Sequence, residues 1–93
     1  MFYMVIEHFK PDSVARIHAR FKEDGRMLPP GVTFLASWVE PSGARCYQVM
    51  EAPSSGLLET WMARWTDLID FEVVPVLASA DFWERQSQQR KTP

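Results

Sequence analysis

His8 is the residue whose type best suits acid–base chemistry near neutral pH, and it directly follows a second titratable residue, Glu7. Both stand near the end of an apolar, β-branched and aromatic run, Phe2–Phe9, that predicts a strand. Neighbouring strand residues point to opposite faces, so the two cannot form a dyad. His8 shares its face with Met4 and Ile6, and Glu7 shares the other face with apolar residues, so one of the two points at a largely apolar space. If that space is a cavity, His8 is the candidate acid or base; otherwise it is a strand-end histidine in water.

A second group of polar residues alternates along the third predicted strand, where Cys46, Gln48 and Met50 share one face. We interpret Tyr47 and Val49 as core residues that face the helices, which turns the first three towards the interior of a barrel. Gln48 would there offer both a donor and an acceptor to a small carbonyl or phenol ligand; the alternative is a hydrogen bond across a dimer interface. Cys46 is expected to act as a small buried hydrophobe, because no positive group is fixed beside it to lower its pKa.

The tryptophans divide into two kinds. Trp38 stands on the second predicted strand, and we include it with Cys46 and Gln48 as a candidate ligand-binding residue at a cavity mouth. Trp61 and Trp65 are four residues apart, which is typical of core packing along one helix face.

No metal site or cofactor is predicted. His8 and His18 lack the spacing of metal ligands and have no cysteine partner nearby, and nothing favours either as an axial ligand of haem. The four glycines match neither a dinucleotide-binding nor a phosphate-binding loop.

Six elements are predicted to position these residues. A hairpin over residues 32–52 turns at Pro-Ser-Gly-Ala, an amphipathic helix flanks it on each side, and a strand lies beyond each helix, at 2–9 and 71–78. The order βαββαβ with right-handed crossovers predicts an α+β, ferredoxin-like sandwich with antiparallel sheet order 4-1-3-2. Pro75 lacks an amide donor, which independently favours an edge position for strand four. Residues 1–80 form one domain in this interpretation, and residues 81–93 form a short C-terminal helix with a frayed tail.

Both faces of this sheet are apolar, although two helices can cover only one of them. An uncovered apolar face exceeds the patch that soluble monomers normally expose. We therefore predict a homodimer that packs sheet against sheet about a two-fold axis. The alternative is that the C-terminal segment folds across the open face of its own subunit.

Composition limits the classes of partner. The 93-residue chain has a net charge of −2 with scattered basic residues, which gives no field to recruit nucleic acid. No apolar run approaches the ~20 residues that span a bilayer, and the N-terminal segment does not resemble a signal peptide. A single cysteine fits a reducing compartment, so we expect a cytoplasmic protein.

Five stretches carry a family resemblance: residues 4–11, 25–31, 37–39, 45–51 and 61–68. Their Trp-x-x-x-Trp and Arg-Cys-aromatic-Gln patterns together resemble a small, mostly bacterial family of unknown function, and the resemblance extends to about residue 80. That family is similar to the dimeric α+β-barrel superfamily, which includes cofactor-free monooxygenases, isomerases, haem-degrading enzymes and ligand-sensing domains. The resemblance implies the fold and the dimeric barrel, and it assigns no reaction and no catalytic residue.

Two functional hypotheses follow. In the first, the chain is a homodimeric module that binds a small, mostly apolar molecule or is simply a structural dimer. In the second, it is a cofactor-free monooxygenase or isomerase for a small apolar or aromatic substrate, with His8 as acid or base and with Gln48 and Trp38 as positioning residues. A cavity with convergent polar groups between the sheets is what the enzyme requires, so a space filled by apolar side chains there would count against the second hypothesis.

Overall fold

The computed structural model describes the backbone of residues 1–91 and the side chains of residues 1–88. Its elements, in chain order, are β1 (Phe2–Phe9), α1 (Val14–Asp24), β2 (Thr33–Val39), β3 (Arg45–Glu51), α2 (Ser55–Met62), β4 (Ile69–Val76) and α3 (Ser79–Lys91). The predicted order of strands and helices is confirmed. Strand β4 begins and ends two residues earlier than predicted.

The four strands form one antiparallel sheet in the order β2-β3-β1-β4, which is the predicted order 4-1-3-2 counted from the other edge. Strand β1 lies inside the sheet, between β3 and β4. Strand β4 is at an edge, where Pro75 lies opposite Tyr3 and needs no further amide partner on its outer side. The ferredoxin-like α+β prediction is therefore confirmed.

Helices α1 and α2 lie on the same face of the sheet, which we call the helix face. The core on this face is built around Val5, Met50, Leu58, Trp61 and Leu68, each with 1% or less of its surface exposed. Strand β1 contributes to this core because its side chains alternate between the two faces of the sheet, and every second one from residue 3 to residue 7 is buried.

The predicted orientation of β3 is wrong. Cys46, Gln48 and Met50 are buried and face the helices, whereas Tyr47 and Val49 are only partly buried and lie on the opposite face. Residues directly opposite in an antiparallel pair share a face, and all three of the buried residues pair with buried residues of β1. Cys46, Gln48 and Met50 therefore do not point into a barrel between two sheets, contrary to the prediction from the sequence.

Strand β2 also departs from the predicted alternation, because it contains a β-bulge between Phe34 and Ala36. One extra residue, Leu35, shifts the alternation by one, so Phe34 faces the helices while Trp38 lies on the opposite face. Uninterrupted alternation along β2 would have placed Phe34 and Trp38 on the same side.

The second face of the sheet, which we call the open face, is apolar at its centre. Its side chains there remain partly or fully exposed: Phe2, Met4, Ile6, Ala36, Trp38, Tyr47, Val49, Val74 and Val76. Neither α1 nor α2 lies on this side.

Helix α3 continues as regular helix to Lys91, and residues 92 and 93 of the predicted frayed tail lie outside the described residues. Its aromatic residues Phe82 and Trp83 contact each other edge to face, with ring centroids 5.1 Å apart. They keep 42% and 65% of their surface exposed, so these two side chains are not buried against the rest of the chain.

Candidate functional site

A cavity of about 340 Å³ lies between α1 and the helix face of the sheet. Its walls are mainly apolar, with α1 on one side and the sheet and α2 on the other. The lining residues are Glu7, Phe9, Val14, Ile17, His18, Phe21, Arg26, Ser37, Val39, Cys46, Gln48, Trp61, Trp65 and Ile69. A volume near 300 Å³ with a few polar groups is at the lower end of the range for small-molecule sites.

Two buried polar side chains, Glu7 and Gln48, meet on the sheet side of this cavity. They are only 6% and 5% exposed, and the Gln48 Nε2 amide donates a hydrogen bond to Glu7 Oε2. The side-chain oxygen of Gln48, Oε1, is buried and has no hydrogen-bond partner within the described part of the chain. A buried acceptor of this kind is costly unless something satisfies it, so the site has an unused acceptor.

Burial raises the pKa of Glu7 from its ordinary value of 4.5 to about 7. The positive charge of Arg26 and hydrogen bonds with Cys46 and Gln48 oppose this shift but do not cancel it. Near neutral pH the carboxyl group is therefore present in both protonation states, which suits a group that exchanges protons with a ligand. Of the two titratable residues at the end of β1, Glu7 is the one that faces an apolar space.

Cys46 lies opposite Glu7 on the neighbouring strand and is 6% exposed. Burial, followed by the negative charge of Glu7, raises the pKa of its thiol to about 11. A thiol with this pKa is almost entirely protonated at neutral pH, so Cys46 is a small neutral wall residue, as the sequence predicted.

Arg26 is a cavity residue that the sequence analysis missed. Its Cζ atom lies 3.5 Å from the centroid of the Phe34 ring and 5.1 Å from that of Phe21. Its backbone carbonyl accepts two hydrogen bonds, from Trp61 Nε1 at 2.9 Å and from Trp65 Nε1 at 3.1 Å. The two tryptophans pack in the core as predicted, but their indole N–H groups also hold the backbone of Arg26 beside the cavity.

Helix α1 is held mainly at its C-terminal half. Arg20 donates to both carboxylate oxygens of Asp67, at 2.8 and 2.7 Å, and to the carbonyl of Arg64 at 3.0 Å. None of the residues of α1 is buried, and Val14 and Phe21 keep 53% and 42% of their surface exposed. The helix therefore covers the cavity without packing tightly against the sheet.

The structure separates the candidate residues into two groups. Cys46 and Gln48 line the cavity, whereas His8 and Trp38 lie on the open face. His8 Nε2 is 3.4 Å from Glu72 Oε1 of the edge strand, and Trp38 is 60% exposed. An arrangement in which His8 acts on a ligand positioned by Gln48 is therefore wrong for a single chain.

Within the described residues, no cluster of three or more histidine, cysteine, aspartate or glutamate side chains has the arrangement of a metal site. None of the helices in that part of the chain combines the length and the apolar character needed to cross a membrane.

Three solved structures are similar to this chain, each with a TM-score of 0.51. SCO4226 from Streptomyces coelicolor A3(2) is 20% identical over 84% of this chain and 100% of its own. Rv0793 from Mycobacterium tuberculosis is 15% identical, covering 86% and 99%, and Atu4242 from Agrobacterium tumefaciens is 14% identical, covering 85% and 96%. At these identities the likeness supports the fold alone.

No curated protein matches the chain. A family model described as "Domain of unknown function (DUF3303)" matches residues 1–90. The match extends the resemblance seen in the sequence over nearly all of the chain.

Proposed function

Because the chain belongs to the DUF3303 family, whose description gives no activity, we propose a function from the geometry: a homodimeric α+β protein that binds one small molecule per protomer. The ligand occupies the cavity between α1 and the sheet. The open face of the sheet forms the dimer interface.

The observation that carries this proposal is the buried Glu7–Gln48 pair in an apolar cavity of about 340 Å³. Cavities that stay dry are lined by apolar groups, whereas polar groups inside a cavity need a partner, either water or a ligand. This one contains a titratable carboxyl group and an amide oxygen without a partner, which are groups that orient a ligand.

The homodimer is supported by the surface of the single chain. The accessible surface is 6341 Å², whereas a compact monomer of this mass is expected to expose roughly 5,500 Å². The excess comes from the exposed aromatic residues of α3 as well as from the open face of the sheet. The open face, with its apolar centre, is the natural place for the dimer interface because Trp38 and Val74 are 60% and 39% exposed there.

A second candidate function is an isomerase that moves a proton within its bound substrate. Glu7 favours it, because a carboxyl group with a pKa of about 7 can both accept and donate a proton near neutral pH. In this version of the enzyme hypothesis, Glu7 replaces His8 as the acid or base. Deuterium incorporation from heavy water into a bound molecule, followed by NMR, tests it: Glu7→Gln is expected to stop the exchange without releasing the molecule.

Native mass spectrometry of protein purified without refolding tests the main proposal. The expected species is a dimer that carries additional small-molecule mass. Ile6→Lys and Val74→Lys place a charge at the centre and at the edge of the open face, and both are expected to give folded monomers because a buried unpaired charge is costly at an interface. Ala19→Lys, on the exposed surface of α1, is the matched control and remains a dimer.

Circular dichroism confirms that each variant is folded before its mass is interpreted. A wild-type protein that stays monomeric at micromolar concentration would overturn the dimer. Two lysine variants that remain dimeric would show that the open face is not the interface.

A further inference from the structure

The chemical class of the ligand can be inferred from the charges around the cavity. Its titratable or charged lining residues are Glu7 on β1, Cys46 on β3, His18 on α1 and Arg26 in the segment after α1. The neighbouring residue of β4, opposite Glu7, is Phe71, which is apolar, and the residue contributed by α2 is Trp61. Arg26 is the only one of these groups that is positively charged at every physiological pH.

Arg26 makes no ion pair with a carboxylate among the described side chains. Its guanidinium lies over the Phe34 ring, an arrangement that uses the face of the group and leaves N–H donors at its edge. The positive charge of Arg26 lowers the pKa of Glu7 through space, but the two side chains form no hydrogen bond. The cavity therefore contains a positive group whose donors are not used by a protein acid.

The cavity lining also contains the unpartnered Oε1 atom of Gln48, a residue that is 5% exposed. Protonated Glu7 can satisfy this oxygen: rotation of the Gln48 amide by half a turn brings Oε1 towards the carboxyl O–H. The pair thus has a hydrogen-bonded arrangement for each protonation state of Glu7. With Glu7 neutral, Arg26 is left as the charge that a ligand must balance.

We propose, on the basis of the binding function above, that the cavity takes a small monoanion with an aromatic or branched apolar body, whose acidic group pairs with Arg26 and whose binding is coupled to protonation of Glu7. The apolar walls bind the body, and the guanidinium edge binds the acid in a charge-assisted pair. The anion brings a second negative charge near the buried carboxylate, so Glu7 takes one proton from solvent and becomes neutral. One proton is gained by the complex for each anion bound to ionised protein.

Isothermal titration with 2-naphthoate and 2-naphthamide tests the charge requirement, because the two probes share shape and differ in charge. Wild-type dimer is expected to bind the naphthoate at least about tenfold more tightly, the effect of one charge-assisted hydrogen bond. In Arg26→Gln this preference is expected to disappear while the naphthamide affinity stays the same. Arg16→Gln, which removes an exposed arginine of α1 outside the cavity, keeps the wild-type preference.

Repeating the naphthoate titration in two buffers of different ionisation enthalpy counts the protons. Because the Glu7 carboxyl titrates near pH 7, about 0.9 proton per site is expected to be taken up at pH 8 and about 0.1 at pH 6. Glu7→Gln is expected to bind naphthoate without proton uptake at pH 8. His18→Gln retains the uptake, which separates Glu7 from the histidine on the cavity wall.

The outcomes separate this inference from the function on which it rests. Equal affinity for both probes would leave the binding cavity intact and overturn the anion class, as would an unchanged preference in Arg26→Gln. A naphthoate preference without proton uptake at pH 8 would overturn the coupling to Glu7. Failure of both probes to bind the wild-type dimer would count against the binding cavity and the inference together.

Discussion

Replacing Glu7 with glutamine is expected to make the protein more stable above pH 7 and to change its stability little at pH 4. Glutamine has nearly the same shape as a protonated glutamate and carries no charge. It can keep a hydrogen bond to Gln48, so the substitution removes mainly the cost of burying a carboxylate.

The size of the effect follows from the difference between the folded and unfolded protonation equilibria. The pKa of Glu7 is about 7 in the folded protein and close to the ordinary 4.5 in the unfolded chain. Between these values the folded state binds more protons than the unfolded state, so stability falls as the pH rises. A separation of about 2.5 units between the two pKa values corresponds to about 3 kcal/mol in the free energy of unfolding. This stability is present in full below pH 4.5 and is lost once the pH has risen through 7.

Urea unfolding at one protein concentration, from pH 4 to pH 8.5, measures this difference. The free energy of unfolding of Glu7→Gln minus that of wild type is expected to rise from near zero to about 3 kcal/mol. Glu23→Gln, at an exposed position on α1, is the control and is expected to stay within about 0.5 kcal/mol of wild type throughout. A Glu7→Gln difference that does not vary with pH would refute the buried, proton-exchanging carboxyl group.

Two further predictions concern other ionisable groups. Because the pKa of Cys46 is about 11, its thiolate fraction at pH 8 is about 100-fold below that of an ordinary thiol. Alkylation by iodoacetamide, followed by mass spectrometry, is therefore expected to be at least about 100-fold slower in the native protein than in urea. Equal alkylation rates in the two conditions would contradict the buried site. Hydrogen bonds from Arg20 lower the pKa of Asp67 to about 2, so the stability that this pair adds is present above pH 4 and lost as the pH falls through 2. Asp67→Asn is therefore expected to lower the urea midpoint at pH 6 and to match wild type near pH 1.5, and a deficit that persists there would point to packing instead of charge.

The fold could be predicted from the sequence because several local signals agreed. The strand composition, the helical periodicity and the hairpin turn gave the order of elements, and Pro75 independently indicated the edge. The facing of β3 could not be predicted in the same way. Both faces of β3 are partly apolar, so the sequence pattern does not show whether Tyr47 and Val49 or Cys46 and Met50 face the core. The pairing with β1 determines which face is buried.

The candidate site was less predictable for a related reason. No glycine or proline in β2 indicates the bulge at Leu35, although the bulge places Trp38 on the open face. Arg26 depends on contacts with residues 35 and 39 positions away in the chain, namely Trp61 and Trp65. The sequence narrowed the choice at the end of β1 to two residues and favoured His8, while the structure places Glu7 at the cavity.

The loose packing of α1 has a consequence for the thermodynamics of binding. A ligand that fills the cavity removes from water its own apolar surface and also the cavity-facing parts of Val14 and Phe21, residues that are 53% and 42% exposed in the empty protein. The heat-capacity decrease on binding should therefore be larger than the area of the ligand alone accounts for. Arg20 and Asp67 already hold the C-terminal half of the helix, so any entropy lost when α1 is ordered by a ligand comes from its N-terminal half. The affinity for a ligand would then depend on how closely α1 packs against the sheet in the complex.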